Sequence, residues 1–336
     1  MRRSLSFLAL ALLFLVLGAP VAAVAAVAAV AADGDDGSDG FTIKDPGITE
    51  SSGLAASHRH KGIYWTHNDQ DEGAYLYAID SKTGDTVATI TMTGVGTPRD
   101  IEAISIGPDN EIYVGDIGDN DGVEWSYVWV YRLPEPKQLK DQTIRATQYV
   151  VKYSDGPRDA ESLVVHPKTG RVYIIDKHED GGHLYDGPAQ LSASGTNVFK
   201  PIAPIDLWTT DAAFSPDGRQ LAVRGYFGGI AYEWNDGKPK RQGRLSVPLQ
   251  GQGESVTYTP DGSTLLYGTE GEESPVEPGS VPGAEGGKSP SEDGSSAADG
   301  EGAGDGPNDN LKMAAIALAA GLVVVYGLKR LLRRGS

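Results

Sequence analysis

Acidic or polar residues recur at one place in a repeated pattern. Counting six residues back from the prolines at 108, 167, 216 and 260 gives Glu102, Glu161, Thr210 and Glu254. A looser copy without such a proline begins at Glu50. Each of these residues heads an alternating apolar run. If the runs converge, Glu50, Glu102, Glu161 and Glu254 become neighbours. Carboxylates a few ångströms apart cannot all stay ionised without a counter-charge. A hard cation is one remedy, and Ca²⁺ accepts about 6–8 oxygen ligands in loose geometry. Pairing with Arg99, Arg158 or Arg224 and capping of strand-end N–H groups is the other, and sequence alone leaves both open. These four glutamates are the metal-ligand candidates.

A second apolar run follows each first run, and polar residues stand at its end. They are His67, Asn68 and Asp69, then Asp116, Asp119 and Asn120, then Asp176 and Lys177, then Arg224, then Glu270. In an antiparallel hairpin the start of one strand and the end of the next lie side by side. These ten residues are therefore ligand-binding candidates at the same mouth. Two chemistries fit. The mouth holds a cation or small ligand in a binding module, or bases such as Lys177 and Arg224 beside a cation hold a phosphate ester for in-line attack by water. The chain has no Cys, which excludes disulfides, thiolate metal sites and cysteine nucleophiles. It has no Gly-x-Ser-x-Gly elbow, so a conventional serine hydrolase is not expected.

The elements that must position these groups are hairpins. Pro108-Asp109-Asn110, Pro167-Lys168-Thr169-Gly170, Pro216-Asp217-Gly218 and Pro260-Asp261-Gly262 are turn sequences: Pro presets φ, Asp bonds local backbone, and Gly or Asn takes the left-handed position. The runs around them, such as Val172-Tyr173-Ile174-Ile175, are rich in β-branched and aromatic residues. A third and fourth apolar run follow most hairpins. Four short strands in roughly 40–50 residues make a propeller blade. The expected fold is an all-β propeller of four-stranded blades. Five blades are favoured, with Phe41-Thr42-Ile43 closing the last one. Six is the alternative, because the interval from Glu102 to Glu161 is long enough to hide further strands.

The two ends belong to a different solvent. Residues 1–32 have a basic start, an apolar core and a small-residue stop, the order of a secretory signal. Residues 33–40 form a short acidic linker and 41–274 the ectodomain. Residues 275–310 are a Gly/Pro/Ser/acidic stalk without enough apolar area to fold. Residues 311–328 are apolar enough for a single membrane helix, and the basic tail at 329–336 should stay cytoplasmic. The expectation is a cell-membrane protein with its ectodomain outside. The formal charge is −17. The two termini hold seven bases and no acids, so 22 bases face 46 acids between them, a net −24. That excess argues against a nucleic-acid partner. The partner class expected is a cell-envelope ligand or protein, with the membrane reached through the C-terminal helix.

Several motifs also look familiar. Glu50-x-Ser52-Gly53-Leu54, Trp65-x-x-Asn68-Asp69, Arg99-Asp100-x-Glu102, Val114-Gly115-Asp116-Ile117-Gly118-Asp119-Asn120 and Tyr131-Arg132-x-x-Glu135-Pro136 resemble bacterial exported propeller proteins, often described as phytase-like, esterase-like or Tol-associated. The resemblance spans about 50–270 and implies fold and export more than activity. It departs at Asn68-Asp69-Gln70-Asp71, where that group usually continues Asn-Asp-Ser-Gly.

Overall fold

The computed structural model describes residues 37–69, 73–120 and 123–283. The expected signal, the membrane helix, the basic tail and most of the stalk lie outside them. Among the described residues no helix is long and apolar enough to cross a membrane.

Twenty of the twenty-one strands among the described residues build five four-stranded antiparallel units. The first unit is β2 (Ser51–Ala56), β3 (Ile63–Asn68), β4 (Tyr75–Asp80) and β5 (Thr86–Thr93). The second is β6 (Ile101–Gly107), β7 (Glu111–Asp116), β8 (Val128–Pro134) and β10 (Thr147–Tyr153). The third is β11 (Ala160–Val165), β12 (Val172–Asp176), β13 (Gly182–Asp186) and β14 (Thr196–Ile205). The fourth is β15 (Thr209–Phe214), β16 (Gln220–Gly225), β17 (Gly228–Asn235) and β18 (Lys238–Leu245). The last is β19 (Gly253–Tyr258), β20 (Thr264–Thr269), β21 (Pro275–Ser280) and, from the other end of the chain, β1 (Phe41–Thr42). Phe41 pairs with Val276 and Thr42 with Pro275, so the N-terminal strand covers the open edge of the last sheet.

The first strands form the axis. β2, β6, β11, β15 and β19 pack each on the next, and β19 returns to β2. Five separate apolar clusters fill the spaces between neighbouring sheets. Trp65, Ile90 and Ile104 lie between the first two sheets. Val130, Leu163 and Phe199 lie between the next two, and Ile175, Val223 and Trp234 between the third and fourth. Ala222, Val256 and Tyr267 join the fourth and fifth. Ile43, Tyr64, Leu266 and Val276 join the last to the first. One end of the axis opens into a cavity of about 270 Å³ lined by residues of all five first strands, among them Ala56, Ile106, Val165, Phe214 and Tyr258. The arrangement is propeller-like.

The turn chemistry behaves as the sequence implies. Gly62, Asn110, Gly170, Gly218 and Gly262 take the left-handed position of the five first hairpins, with φ of 75°, 58°, 68°, 76° and 75°. Side chains at the strand ends accept turn N–H groups: Ser57 Oγ from His60 at 2.8 Å and Thr259 Oγ1 from Thr264 at 3.1 Å. His166, whose turn position suggests solvent, is instead 8% exposed. Its Nδ1 accepts from Lys168 N at 3.2 Å, and its ring packs edge-on against Phe214.

Two boundaries differ from the sequence reading. The long interval before Glu161 adds β9 (Gln142–Arg145), which pairs parallel to β5 on the outer edge of the first sheet and makes no sixth unit. Residues 275–280, assigned by composition to the stalk, form β21. Its one deeply buried side chain, Val276, supplies the apolar contact, and Pro278 is tolerated because β1 pairs only with Pro275 and Val276, which leaves the rest of that edge unpaired.

Candidate functional site

The same irregularity opens every first strand. In the second unit Ile101 pairs with Asp116 and Ala103 with Gly115, leaving Glu102 bulged. Glu161, Thr210 and Glu254 are bulged in the same way. A bulge turns a side chain out of the regular alternation and commonly lies near a functional site. Here it places the acid at the mouth. Glu102, Glu161 and Glu254 are 2%, 3% and 3% exposed.

Glu50 does not belong to this set. In the first sheet Ser51 pairs with Asn68 and Leu54 with Thr66, so the residue matching Glu102 is Ser52. Glu50 matches Asp100 instead. Its carbonyl accepts from Asp69 N at 2.8 Å, as the Asp100 carbonyl accepts from Ile117 N at 3.1 Å and the Asp159 carbonyl from Lys177 N at 2.8 Å. The first hairpin turns at His58–Gly62 without a proline, so the sequence offered no mark from which to count.

The tightest group is Asp69, Asp100 and Glu102. Each offers a carboxylate oxygen, and these oxygens lie within 4.8 Å of one another. That is about twice a Ca–O distance of about 2.4 Å. Burial and repulsion from neighbouring carboxylates raise the pKa of both Asp69 and Asp100. Asp69 Oδ1 and Asp100 Oδ1 are buried and find no partner among the described residues. Asn120 Nδ2 donates to Asp100 Oδ2 at 3.3 Å. Gly118 closes the group: a Cβ there would stand 2.5 Å from Asp100 Oδ2 and 2.7 Å from Glu102 Oε1.

Burial dominates the electrostatics. It pushes Asp100 up from 3.8 to about 6 and holds Asp69 and Glu102 well above the usual carboxylate range. It pushes Glu161 up from 4.5 to about 7 even though Lys177 pulls the other way. Glu254 rises through burial and then through Glu270 and Glu161. Glu270 also acts on Asp69, so it stands at the same mouth. The one ammonium among them, Lys177, is paired with Glu161 and lies 5.5 Å from the Tyr226 ring. Burial lowers its pKa, but Glu161, Tyr226, Glu102 and Glu254 raise it further, so it stays cationic. Asp69, Lys177, Tyr226 and Glu270 occupy one position, the residue after the second strand, in four of the five sheets; Ile117 holds it in the second.

The remaining candidates hold the frame. The His67 ring is fully buried beside Gly53, and burial lowers its pKa to about 4, so it is neutral. Asn68 Nδ2 donates to Gly47 O at 2.7 Å, and its Oδ1 accepts from Glu50 N at 3.2 Å, which braces the entering loop. Asp116 accepts Asp100 N at 3.0 Å and Tyr131 Oη at 2.5 Å. Asp176 holds the equivalent place with His183 N, Tyr185 Oη and Arg158. Asp119 accepts Trp125 N at 2.8 Å and donates its own N–H to Asp159. Arg224 is wholly buried and donates from Nη1 to Ser255 O and Gly268 O, both at 2.7 Å, and from Nη2 to Gln250 at 2.8 Å. It ties the fourth sheet to the fifth. The Arg99 guanidinium carbon lies 3.8 Å from the Trp125 ring centre and 3.9 Å from that of Trp129. Of the ten ligand candidates, Asp69, Lys177 and Glu270 reach the mouth, with Asn120 beside it. Asp100 and Gly118 are the residues that counting from the turns passed over. Both lie in quoted motifs, Arg99-Asp100-x-Glu102 and Asp-Ile-Gly-Asp-Asn.

No protein-family model matches the chain, and no curated protein matches it. Similar solved structures include the soluble aldose sugar dehydrogenase of Escherichia coli in its apo form, at 11% identity and a TM-score of 0.45, covering 70% of this chain and 97% of that one. A putative 6-phosphogluconolactonase from Bacteroides uniformis is 15% identical with a TM-score of 0.39, covering 70% and 69%. The RRP9 WD40 repeats are 10% identical with a TM-score of 0.39, covering 69% and 80%. Such likenesses concern the fold alone and carry nothing about activity.

Proposed function

We propose that the chain is a five-bladed, extracytoplasmic, membrane-anchored binding module whose channel mouth holds a calcium ion. Asp69, Asp100 and Glu102 supply its first ligands, with Glu254 and Glu270 shaping the field around them. The observation that carries this reading is the group of three nearly dry carboxylates with two unpartnered oxygens. Asp69, Asp100 and Glu102 are 9%, 5% and 2% exposed, so water does little to compensate their charge. An all-carboxylate donor set suits a hard cation. Engagement of Arg99, Arg158, Lys177 and Arg224 with rings, carboxylates and carbonyls favours cation binding over phosphate-ester hydrolysis. Export of the domain to a calcium-containing compartment is consistent with the sequence of both ends.

The test is thermal melting of the purified full-length chain in detergent at pH 7.5. Calcium should raise the midpoint above that in EDTA, and Glu102→Gln or Asp69→Asn should remove the rise. Equal midpoints in calcium and EDTA for the parent chain would end this reading.

A further inference from the structure

We infer that the mouth face is a docking surface for a basic polypeptide segment carrying apolar side chains. This goes beyond cation binding and rests on the ring, which sends the loops after second and fourth strands to one face and the first-hairpin turns to the other. Two independent features separate those faces.

The first is charge. The mouth loops carry exposed Glu124, Glu179, Asp180, Glu272 and Glu273 in addition to the buried carboxylates. Of the bases on this side, Arg158 is held by Asp155 and Asp176, Lys177 by Glu161 and Arg99 between two indoles, while Arg145, Lys152 and Arg244 at the outer strand ends are exposed. The opposite turns are mixed: Arg59, Lys61, Lys82, Lys168, Arg219 and Lys238 are exposed there beside the exposed acids Asp85, Asp109, Asp217, Asp236 and Asp261. Uncompensated negative charge is thus concentrated on the mouth face, and a field of this sign steers a cationic partner toward the mouth. A single divalent ion at Asp69, Asp100 and Glu102 leaves the loop acids unneutralised.

The second is apolar exposure on the same loops. Phe227 is 58% exposed and Leu249 fully so, and Tyr75, Val123 and Tyr127 are also among the exposed large apolar residues. None of these five lies in the opposite turns. Trp208, Tyr226 and Phe227 form a run of rings with centroids 5.1 and 6.3 Å apart. Gln250, next to Leu249, is bonded to Arg224 of the strand that leads to Phe227, which fixes the loop bearing Leu249. Aromatic anchors beside acids suit Lys and Arg, whose alkyl stems lie on rings while the charge meets carboxylates. A nucleic acid or an acidic polysaccharide carries the wrong sign.

The probe is a fluorescent twelve-residue Lys/Leu peptide, with a Glu/Leu peptide of the same length as control, followed by anisotropy on the full-length chain in EDTA and in calcium. The Lys/Leu peptide should bind, more tightly at 50 mM than at 300 mM salt. A Phe227→Ser/Leu249→Ser double variant should weaken it at least tenfold, and Lys168→Glu on the far face should weaken it less than twofold. The double variant changes only exposed side chains and should keep the parent's melting midpoint and calcium response, so failure here is separable from failure of the cation site. Absence of binding, equal binding of the Glu/Leu peptide, or equal binding by the double variant would each overturn the proposal.

Discussion

Replacing Asp100 by Asn should stabilise the calcium-free protein, by an amount that grows as pH rises above about 4 and levels off above about 6. In the folded chain burial holds this carboxyl at about 6 against 3.8 unfolded. The folded state therefore binds the proton more tightly than the unfolded state does. The resulting contribution is fully present below pH 3.8 and is lost as pH rises through about 6. A difference of about two pKa units corresponds to about 3 kcal/mol. In EDTA at pH 8 the parent carries that deficit and Asp100→Asn does not, while below pH 4 the two should be alike. Calcium reverses the order, because the ion stabilises the parent by mass action and the variant has lost a ligand. The assay is urea unfolding followed by tryptophan fluorescence between pH 3.5 and 8, with m compared to confirm that the same surface is exposed. A variant less stable than the parent at pH 8 in EDTA, or a difference independent of pH, would refute the reasoning.

Other substitutions probe neighbouring parts of the site. Gly118→Ala puts a methyl against Asp100 and Glu102. It should weaken calcium binding at least tenfold by calorimetry while changing urea stability by only about 1 kcal/mol. Lys177→Met leaves Glu161 buried without its partner. Because the folded pKa of Glu161 is already raised to about 7, loss of the ammonium should destabilise the chain by about 3 kcal/mol at pH 8 and less at pH 5. Gly253→Ala would overlap Arg224 Nη2 outright. Displacing a buried guanidinium from two carbonyls should lower stability by about 3–5 kcal/mol with no change in calcium affinity per folded molecule.

Much of the architecture was legible because one signal repeats. The Pro-Asp-Gly turns set the hairpins, and the hairpins set the ring, since a left-handed residue recurs at Asn110, Gly170, Gly218 and Gly262. The bulged acids were legible for the same reason: each stands a fixed distance from its proline. Where the mark was missing, the register slipped by two, and Glu50 was taken for the equivalent of Glu102 in place of Ser52. Strand-end polar residues were ambiguous in kind. Asp116 and Asp176 occupy one structural position and spend their oxygens on backbone N–H groups and a tyrosine hydroxyl. Sequence cannot separate such a cap from a ligand, because both need a carboxylate beside a strand end. Arg224 looked like a mouth cation, yet Gly253 leaves room for it to fold back into the fifth sheet. β21 was hidden because Pro275-Val276-Glu277-Pro278-Gly279 has the composition of the stalk that follows, and only Val276 shows its use.

The most direct test is a crystal of the chain soaked in calcium at pH 8, with anomalous difference density calculated at the mouth. The account predicts a single ion bonded to carboxylate oxygens of Asp69, Asp100 and Glu102 at about 2.4 Å. A mouth without density, or an ion bound only at other residues, would contradict it.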